Sequence, residues 1–404
     1  MDTAQFLDTA RAVGGRLLRA DVKGLRRLLR VNSMFHPQKV VKNFSSTKAL
    51  FETVSFQVDP AKASPLNEAS KARKQEFSKI LKDAGFGAHK YDRQLTAFMA
   101  LQKGAILFEN YYQDTAAEDL RIGWSVSKGL IALLVGILID KKQIQAAQLD
   151  QPVTPLVPPL VGSGYEGVTL RNLLNMSSGV EFNEDYIDYH SDINKMGRIL
   201  GVGGSMDAFA ATLKREFTPN TWRHYVSIDT HVIGMALRAL TGRPIADLYQ
   251  EYLIAPMGFQ AAPHCITDSL GEAFVLGGFN FCTRDFARIG EMMRRVGKWN
   301  GKQIVSAKWI EQVLEISPLD GYPKIQGTPD NLSDYGMHWW RPENAEEGEF
   351  YAIGIYGQMI YVNRNSDLVL VQNATDLNFR DGNGIVAVET LKFYRRISDA
   401  LRKT

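Results

Sequence analysis

Cysteine is nearly absent: Cys265 and Cys282 are the two among 404 residues. So few exclude a disulfide framework and suit a reducing compartment, so the expected location is cytoplasmic. Neither stands in a C-x-x-C pair, and no H-E-x-x-H occurs. With the common zinc motifs missing, neither a metal nor another cofactor is expected. Long apolar runs are missing too. The longest nearly uncharged one, residues 129–139 (GLIALLVGILI), falls short of the roughly 20 residues that a bilayer span needs. The N-terminus lacks a compact apolar core followed by a small-residue cleavage site, so no secretory signal is expected. Charge of one sign is not in excess, since 47 basic side chains meet 44 acidic ones for a net +3.

That charge is unevenly placed. Residues 1–50 carry ten Lys/Arg against three Asp, or +7, which leaves the remainder at −4. A nucleic-acid protein usually shows a basic face on its folded body. This body is slightly acidic, so no nucleic-acid partner is expected. Residues 1–35 read as an amphipathic helix, with Phe6, Leu7, Ala10, Val13, Leu17 and Leu18 at helical spacing between arginines. A helix packed on the body with a solvated basic face is the plain reading. Organellar targeting and membrane-surface contact are the sharper ones.

Beyond this segment the chain holds strands at both ends and helices between them. LTAFMALQ, Lys103-Gly104 and AILFENYY form a hairpin pattern. FYAIGIYGQMIYVNRN and DLVLVQNA form a second one around residues 363–367, before an amphipathic helix over 386–401. Residues 168–260 read as mostly helical. The expected fold class is therefore mixed α/β, one sheet assembled from distant segments with a helical domain inserted into it. The expected division is a basic helical extension over 1–60, a sheet domain over 61–145 and 265–404, and a helical domain over 146–264.

The strongest chemical signal is Ser125-Val126-Ser127-Lys128, an S-x-x-K just before the apolar helix. Positions i and i+3 share a helix face, so the Lys128 amine can reach the Ser125 hydroxyl. A serine hydroxyl is a weak nucleophile without an adjacent base. Lysine becomes that base only when neutral, a state that burial favours. Taken alone, the four residues fit an N-capping serine before a surface lysine better. Tyr225-Val226-Ser227 precedes a second helix. A tyrosine beside a cationic lysine can have its phenol pKa lowered and shuttle a proton, whereas a buried aromatic at a helix start is the plainer reading. Gly354-Ile355-Tyr356-Gly357-Gln358 opens a strand, where glycine permits close backbone approach. The backbone N–H groups of Ser125 and Gln358 could there face one another as an oxyanion hole, and a bulged edge strand is the alternative. Histidine offers less. His224 and His231 could suggest a Ser-His-Asp triad, but no G-x-S-x-G surrounds a serine. Asp229 reads as support for its helix.

Order makes these signals specific together. S-x-x-K at a helix start, then Y-x-S, then a glycine-bearing strand near the C-terminus resembles the serine β-lactamase and penicillin-binding-protein superfamily, in its class C-like branch. VTLRNLLNMSSGVEF (168–182), HYVSIDTHVIGMALRALTGRP (224–244), IAPMGF (254–259), FCTRDFARIGEMM (281–293) and YGMHWW (335–340) extend the resemblance over about residues 85–400. Within that branch the chain is similar to β-lactamase-fold esterases and 6-aminohexanoate-dimer hydrolases.

The resemblance implies a β-lactamase-like fold and a serine hydrolase that cleaves a small ester or amide. Ser125 would be acylated, Lys128 would be its base, and Tyr225 would pass protons to the leaving group and water. Ser125 and Gln358 would supply the oxyanion N–H groups. Tyr186, Trp340, Tyr356 and Gly357 would contact substrate. Two departures stand out. Ile355-Tyr356-Gly357 replaces Lys-Thr-Gly, which removes the cation that would pair with a β-lactam carboxylate. Ser227 replaces the asparagine of Y-x-N. Both point away from β-lactamase or D-peptidase work. Acyl transfer on the same site, β-lactamase or D-peptidase work, and a degenerate binding or assembly protein are the alternatives, and a homodimer is left open.

Overall fold

The computed structural model of the protein describes residues 31, 33–316, 319, 333–379 and 385–403. The amphipathic pattern over residues 1–35 lies almost wholly outside them. Lys103 and Gly104 both take positive φ, 52° and 80°, the backbone of a two-residue hairpin turn. They join β1 (Leu95–Gln102) to β2 (Ala105–Tyr111), as the alternating pattern predicts.

The three strands that complete the centre of the sheet come from the other end of the chain. β3 (Glu349–Gly354), β4 (Gln358–Asn363) and β5 (Leu368–Ala374) run antiparallel, and β5 pairs with β1, Leu368 opposite Gln102. Ser333–Tyr335 and Trp340–Pro342 extend one edge, and Asn67–Glu68 adds a parallel pair on the other, giving eight strands. The run 350–365, expected as one arm of a hairpin, folds back on itself. Tyr356 at φ 62° and Gly357 at φ 87° make the turn between β3 and β4.

Strand alternation divides the core in two. Met99, Leu101, Val369 and Val371 face the larger cluster, with Ile289 and Met292 of α3 (Thr283–Arg294). Phe98, Ala100, Leu368 and Leu370 face the smaller one, with Leu391, Tyr394 and Ile397 of α4 (Ile385–Arg402). Side chains that alternate faces along a strand need apolar partners on both sides, and helices supply them. The most buried helix is α1 (Val126–Asp140), in which residues 126–138 are all buried. An apolar surface all round a helix is stable only inside a core.

Between α1 and a short strand at His264–Ile266 the described chain adds no strand to the large sheet. It forms helices instead, among them Asp192–Val202 and α2 (Ser227–Thr241), which Gly242 ends in the left-handed conformation. This is the mixed α/β, largely antiparallel architecture with a helical insertion that the sequence led us to expect.

Residues 33–60, grouped above with a basic helical extension, depart from that description. Only Val40–Ser45 is α-helical, and Thr53–Ser55 pairs with His264–Ile266 in a second sheet of four strands. Met34, Val40, Phe44, Leu50 and Phe56 are buried in the larger core. Thr47 Oγ1 donates to Asn280 at 2.9 Å and lies 2.7 Å from His264 Nε2. This part of the segment belongs to the body because its apolar residues pack there.

Candidate active site

Ser125 sits at the head of α1. Its side chain makes no helix-capping bond, which leaves the hydroxyl for other partners. The preceding residue, Trp124, holds φ at 46°, an uncommon backbone for a bulky side chain and one often stored at functional sites. One turn on, Lys128 Nζ donates to Ser125 Oγ at 2.9 Å and to the Leu276 carbonyl at 3.1 Å. The side chain is fully enclosed because α1 is. Burial pulls the ammonium pKa down to about 8, and the Glu184 carboxylate opposes that in part.

Tyr225 closes the group. Its phenol hydrogen-bonds with Ser125, and its ring lies 5.1 Å from Lys128 Nζ. The pKa shift is opposite to the lowered phenol expected from a cationic neighbour. Burial raises it, the Glu184 charge adds to the rise, and the hydrogen bond to Ser125 only offsets part. Burial and the Glu184 charge outweigh the neighbouring lysine, so the phenol is not drawn down. Tyr225 therefore stays a neutral proton donor at ordinary pH.

A cavity of about 610 Å³ opens on this group, within the usual range for ligand sites. Ser125 and Lys128 line it, with Trp124, Tyr186, Phe35 and Tyr356 among the walls. Tyr186 and Tyr356, expected to contact substrate, both line this cavity. Trp340 and Gly357, also expected to contact substrate, are not among its walls. Trp340 stacks behind Tyr225, with ring centroids 5.9 Å apart and planes at 23°, and so fixes the phenol from the far side. Gln358 turns its amide to the Ala374 carbonyl at 2.6 Å and ties β4 to β5. Gly357 packs against Ala374, where a Cβ would come within 2.9 Å of the alanine methyl. The wall beside the nucleophile is built one turn earlier. Ile355 lines the cavity, and a Cβ on Gly354 would sit 2.3 Å from the Gly123 carbonyl and 3.1 Å from the Ser125 nitrogen.

Glu184 is the residue that sequence reasoning missed. It is buried beneath the group and accepts from Tyr186 OH at 2.7 Å, from the Ser227 backbone N–H at 3.2 Å, and from the Ser227 hydroxyl. Burial raises its pKa, while Lys128 and the bonds from Ser227 and Tyr186 lower it. It lies in the Asn183–Tyr186 run, but Ser227 is 43 positions on, so only the fold reveals the pairing. Asp229 accepts from Tyr165 OH at 3.0 Å and is pushed up to about 8 by burial, a carboxyl enclosed in the first turn of α2. His231 bonds Asp207 at 2.6 Å, and Arg238 holds the same carboxylate, so that histidine is committed elsewhere.

An antiparallel sheet and a helical region meeting over a serine–lysine pair define a serine hydrolase of the β-lactamase fold. The chain belongs to the Beta-lactamase family, whose model matches residues 84–384. It is 32% identical over 288 residues to a 6-aminohexanoate-dimer hydrolase of Paenarthrobacter ureafaciens, covering 68% of this chain and 71% of that protein. A Bacillus anthracis structure, provisionally named a 6-aminohexanoate-dimer hydrolase, shares the fold at a TM-score of 0.75 and 18% identity, covering 92% and 96% of the two chains. A family VIII carboxylesterase superposes at 0.57 with 16% identity, covering 82% and 99%.

Proposed function

We propose that the protein hydrolyses a small ester or amide through an acyl-enzyme on Ser125. The observation that carries this reading is the enclosed Lys128 amine 2.9 Å from the Ser125 hydroxyl, with its pKa drawn down to about 8. Neutral Lys128 takes the hydroxyl proton as Ser125 Oγ attacks the carbonyl carbon. The resulting oxyanion is held by the Ser125 backbone N–H and by a second backbone donor in the 354–356 turn, the segment packed against Ser125. Collapse breaks the bond to the leaving oxygen or nitrogen. The Tyr225 phenol donates the proton to the leaving atom and regains one from the Lys128 ammonium. Water then attacks the ester carbonyl on Ser125 and gives a proton to the same pair; the bond to Ser125 Oγ breaks, Oγ takes that proton back, and the acid leaves.

The 6-aminohexanoate-dimer hydrolase among the relatives supports an amide substrate, and the carboxylesterase fold neighbour supports an ester. The missing Lys-Thr-Gly lysine argues against β-lactams. Two free, buried cysteines suit a reducing compartment, so we assign the protein to the cytoplasm. No helix among the described residues is long and apolar enough to cross a membrane.

The test is a nitrophenyl ester assayed with the wild-type protein and Ser125→Ala. We expect a burst of nitrophenol, a fluorophosphonate adduct on Ser125, and a loss of at least about 10³-fold in kcat/KM in the variant. Activity should climb with pH through about 8 as Lys128 becomes neutral. Undiminished hydrolysis by Ser125→Ala would overturn the assignment.

A further inference from the structure

Exposed apolar side chains gather on one face of the body. Ile187 is 79% exposed and lines the cavity mouth, where Phe35 also stands. Leu270, 72% exposed, follows Ser269, whose hydroxyl accepts from the Gly204 N–H at 3.0 Å and donates to the Gly204 carbonyl at 2.9 Å. Gly204 lies just past the helix Asp192–Val202, and Gly201 and Val202 of that helix line the same mouth. Single exposed apolar residues need no explanation, whereas a group of them beside a cavity marks a contact surface.

The chain also enters the body here. Val31 lines the cavity against Gly201, where a Cβ would lie 3.0 Å from Val31 Cγ1. The residues before it are strongly patterned. Over 16–30, Arg or Lys stands at 16, 19, 23, 26, 27 and 30, Leu or Val at 17, 18, 22, 25, 28 and 29, and Asp21 is the one acid. Counted at about 100° per residue, the cations fall within an arc of about 100° and the apolar side chains within an opposing arc of about 140°. A cationic stripe opposite a leucine-rich one is the pattern of segments that lie in a membrane interface. The rim offers those cations little. No carboxylate lines the cavity among the described residues. The acids nearby have partners: Asp188 accepts from the His190 N–H and the Asn183 amide, Asp192 pairs with Lys195, and Glu272 pairs with Arg238.

We propose that this face docks on an anionic phospholipid surface. Residues 16–30 supply the cations, and Phe35, Ile187 and Leu270 enter the headgroup layer beside them. Such a surface satisfies both halves of the pattern, since its headgroups carry negative charge and its acyl boundary accepts apolar side chains. A cytoplasmic leaflet presents that combination. The cavity mouth then opens toward the lipid. The inference is independent of the hydrolase reading, because it uses no group of the proposed chemistry.

The full chain is sedimented with vesicles of phosphatidylcholine, or of phosphatidylcholine with about one-third phosphatidylglycerol. We expect binding to the anionic vesicles to exceed binding to the neutral ones by roughly tenfold or more, and to weaken in high salt. Replacing four cations together, Arg16→Gln, Arg19→Gln, Arg26→Gln and Arg27→Gln, should lower the affinity by about 10²-fold or more. Ile187→Ser with Leu270→Ser should lower it several-fold at an unchanged melting temperature, because both side chains are exposed. Equal binding of the wild-type protein to both vesicles overturns the proposal, as does wild-type affinity in the arginine variant. If the folded Ile187→Ser, Leu270→Ser variant binds as the wild type does, residues 16–30 alone touch lipid, as a targeting segment would, and the docking face is overturned. Labelling of Ser125 is unaffected by any of these results, so the hydrolase reading is judged separately.

Discussion

Lys128, the base in the proposed reaction, is buried at a cost in stability. A lysine enclosed in an apolar helix is held near pKa 8 against an ordinary 10.5, because burial disfavours the ammonium. Below about pH 8 the folded and unfolded chains both carry that charge, so the full cost of burying it is present. Between about 8 and 10.5 the folded lysine has lost its proton and the unfolded one has not, so wild-type stability rises with pH across this window. Lys128→Met keeps the length and removes the charge. The lowered pKa corresponds to about 3 kcal/mol, and leaving the Leu276 carbonyl without its donor offsets part of it. The variant should be inactive, yet more stable by about 1–2 kcal/mol at pH 7, with the gain shrinking toward pH 10. Denaturant melts at both pH values check this. A variant less stable than wild type at pH 7, with no pH dependence in the difference, would remove the argument.

Elements place this residue through close backbone contact, and glycine decides where that contact is allowed. The end of β3 touches the nucleophile turn at Gly354, where a Cβ would collide with the Gly123 carbonyl at 2.3 Å. Backbone atoms cannot swing aside as side chains do, so Gly354→Ala must shift the strand end away from Ser125. A displacement near 1 Å at a reacting centre can cost about 10²-fold, and we expect a kcat/KM loss of that order. Gly136→Ala provides the contrast. Its Cβ would meet the Trp309 ring at 2.1 Å, at the opposite end of α1 from Ser125. There the expected cost is about 1–3 kcal/mol of stability from overpacking, with little change in activity. Equal activity losses in the two variants would refute the distinction.

The same scale separates what was legible in the sequence from what was not. The β1–β2 hairpin and α1 could be read because period-two alternation and a long apolar run are local patterns. Ser125 and Lys128 could be read because one helical turn links them. The turn at Tyr356, a left-handed backbone on a non-glycine residue, carries no sequence signature. It moves the cavity wall back to Gly354 and Ile355. Glu184 was missed because a buried carboxylate has meaning only beside Ser227, which the fold brings from a distant helix. Trp340 was seen as important but given the wrong face, since strand register and not residue type sets which side of Tyr225 it packs on.

At the scale of the whole molecule, the +7 of residues 1–50 and the −4 of the remainder suggested two separable parts. The described residues of the first part do not separate. Val31, Met34, Phe35 and Phe51 line the same cavity as Ser125, so an N-terminal segment completes the cavity at the head of α1, where the proposed nucleophile lies. Phe35 is the most instructive of them. It is 46% exposed, an uncommon state for a phenylalanine, and its ring stacks 5.2 Å from Tyr356 and 6.1 Å from Trp124. A half-exposed ring contributes only part of its burial energy, so removing it should cost about 1 kcal/mol or less. Its effect on selectivity should be larger, because the ring occupies the wall next to the two aromatic residues that flank Ser125. Phe35→Ala enlarges the space open to an acyl chain. Across a series of nitrophenyl esters from butanoate to decanoate, we expect the ratio of kcat/KM for the longest to the shortest ester to rise several-fold. A variant that loses activity on every ester in equal proportion would show that the segment merely supports the fold. A changed ratio would instead make the N-terminal segment a determinant of which acyl group the enzyme accepts.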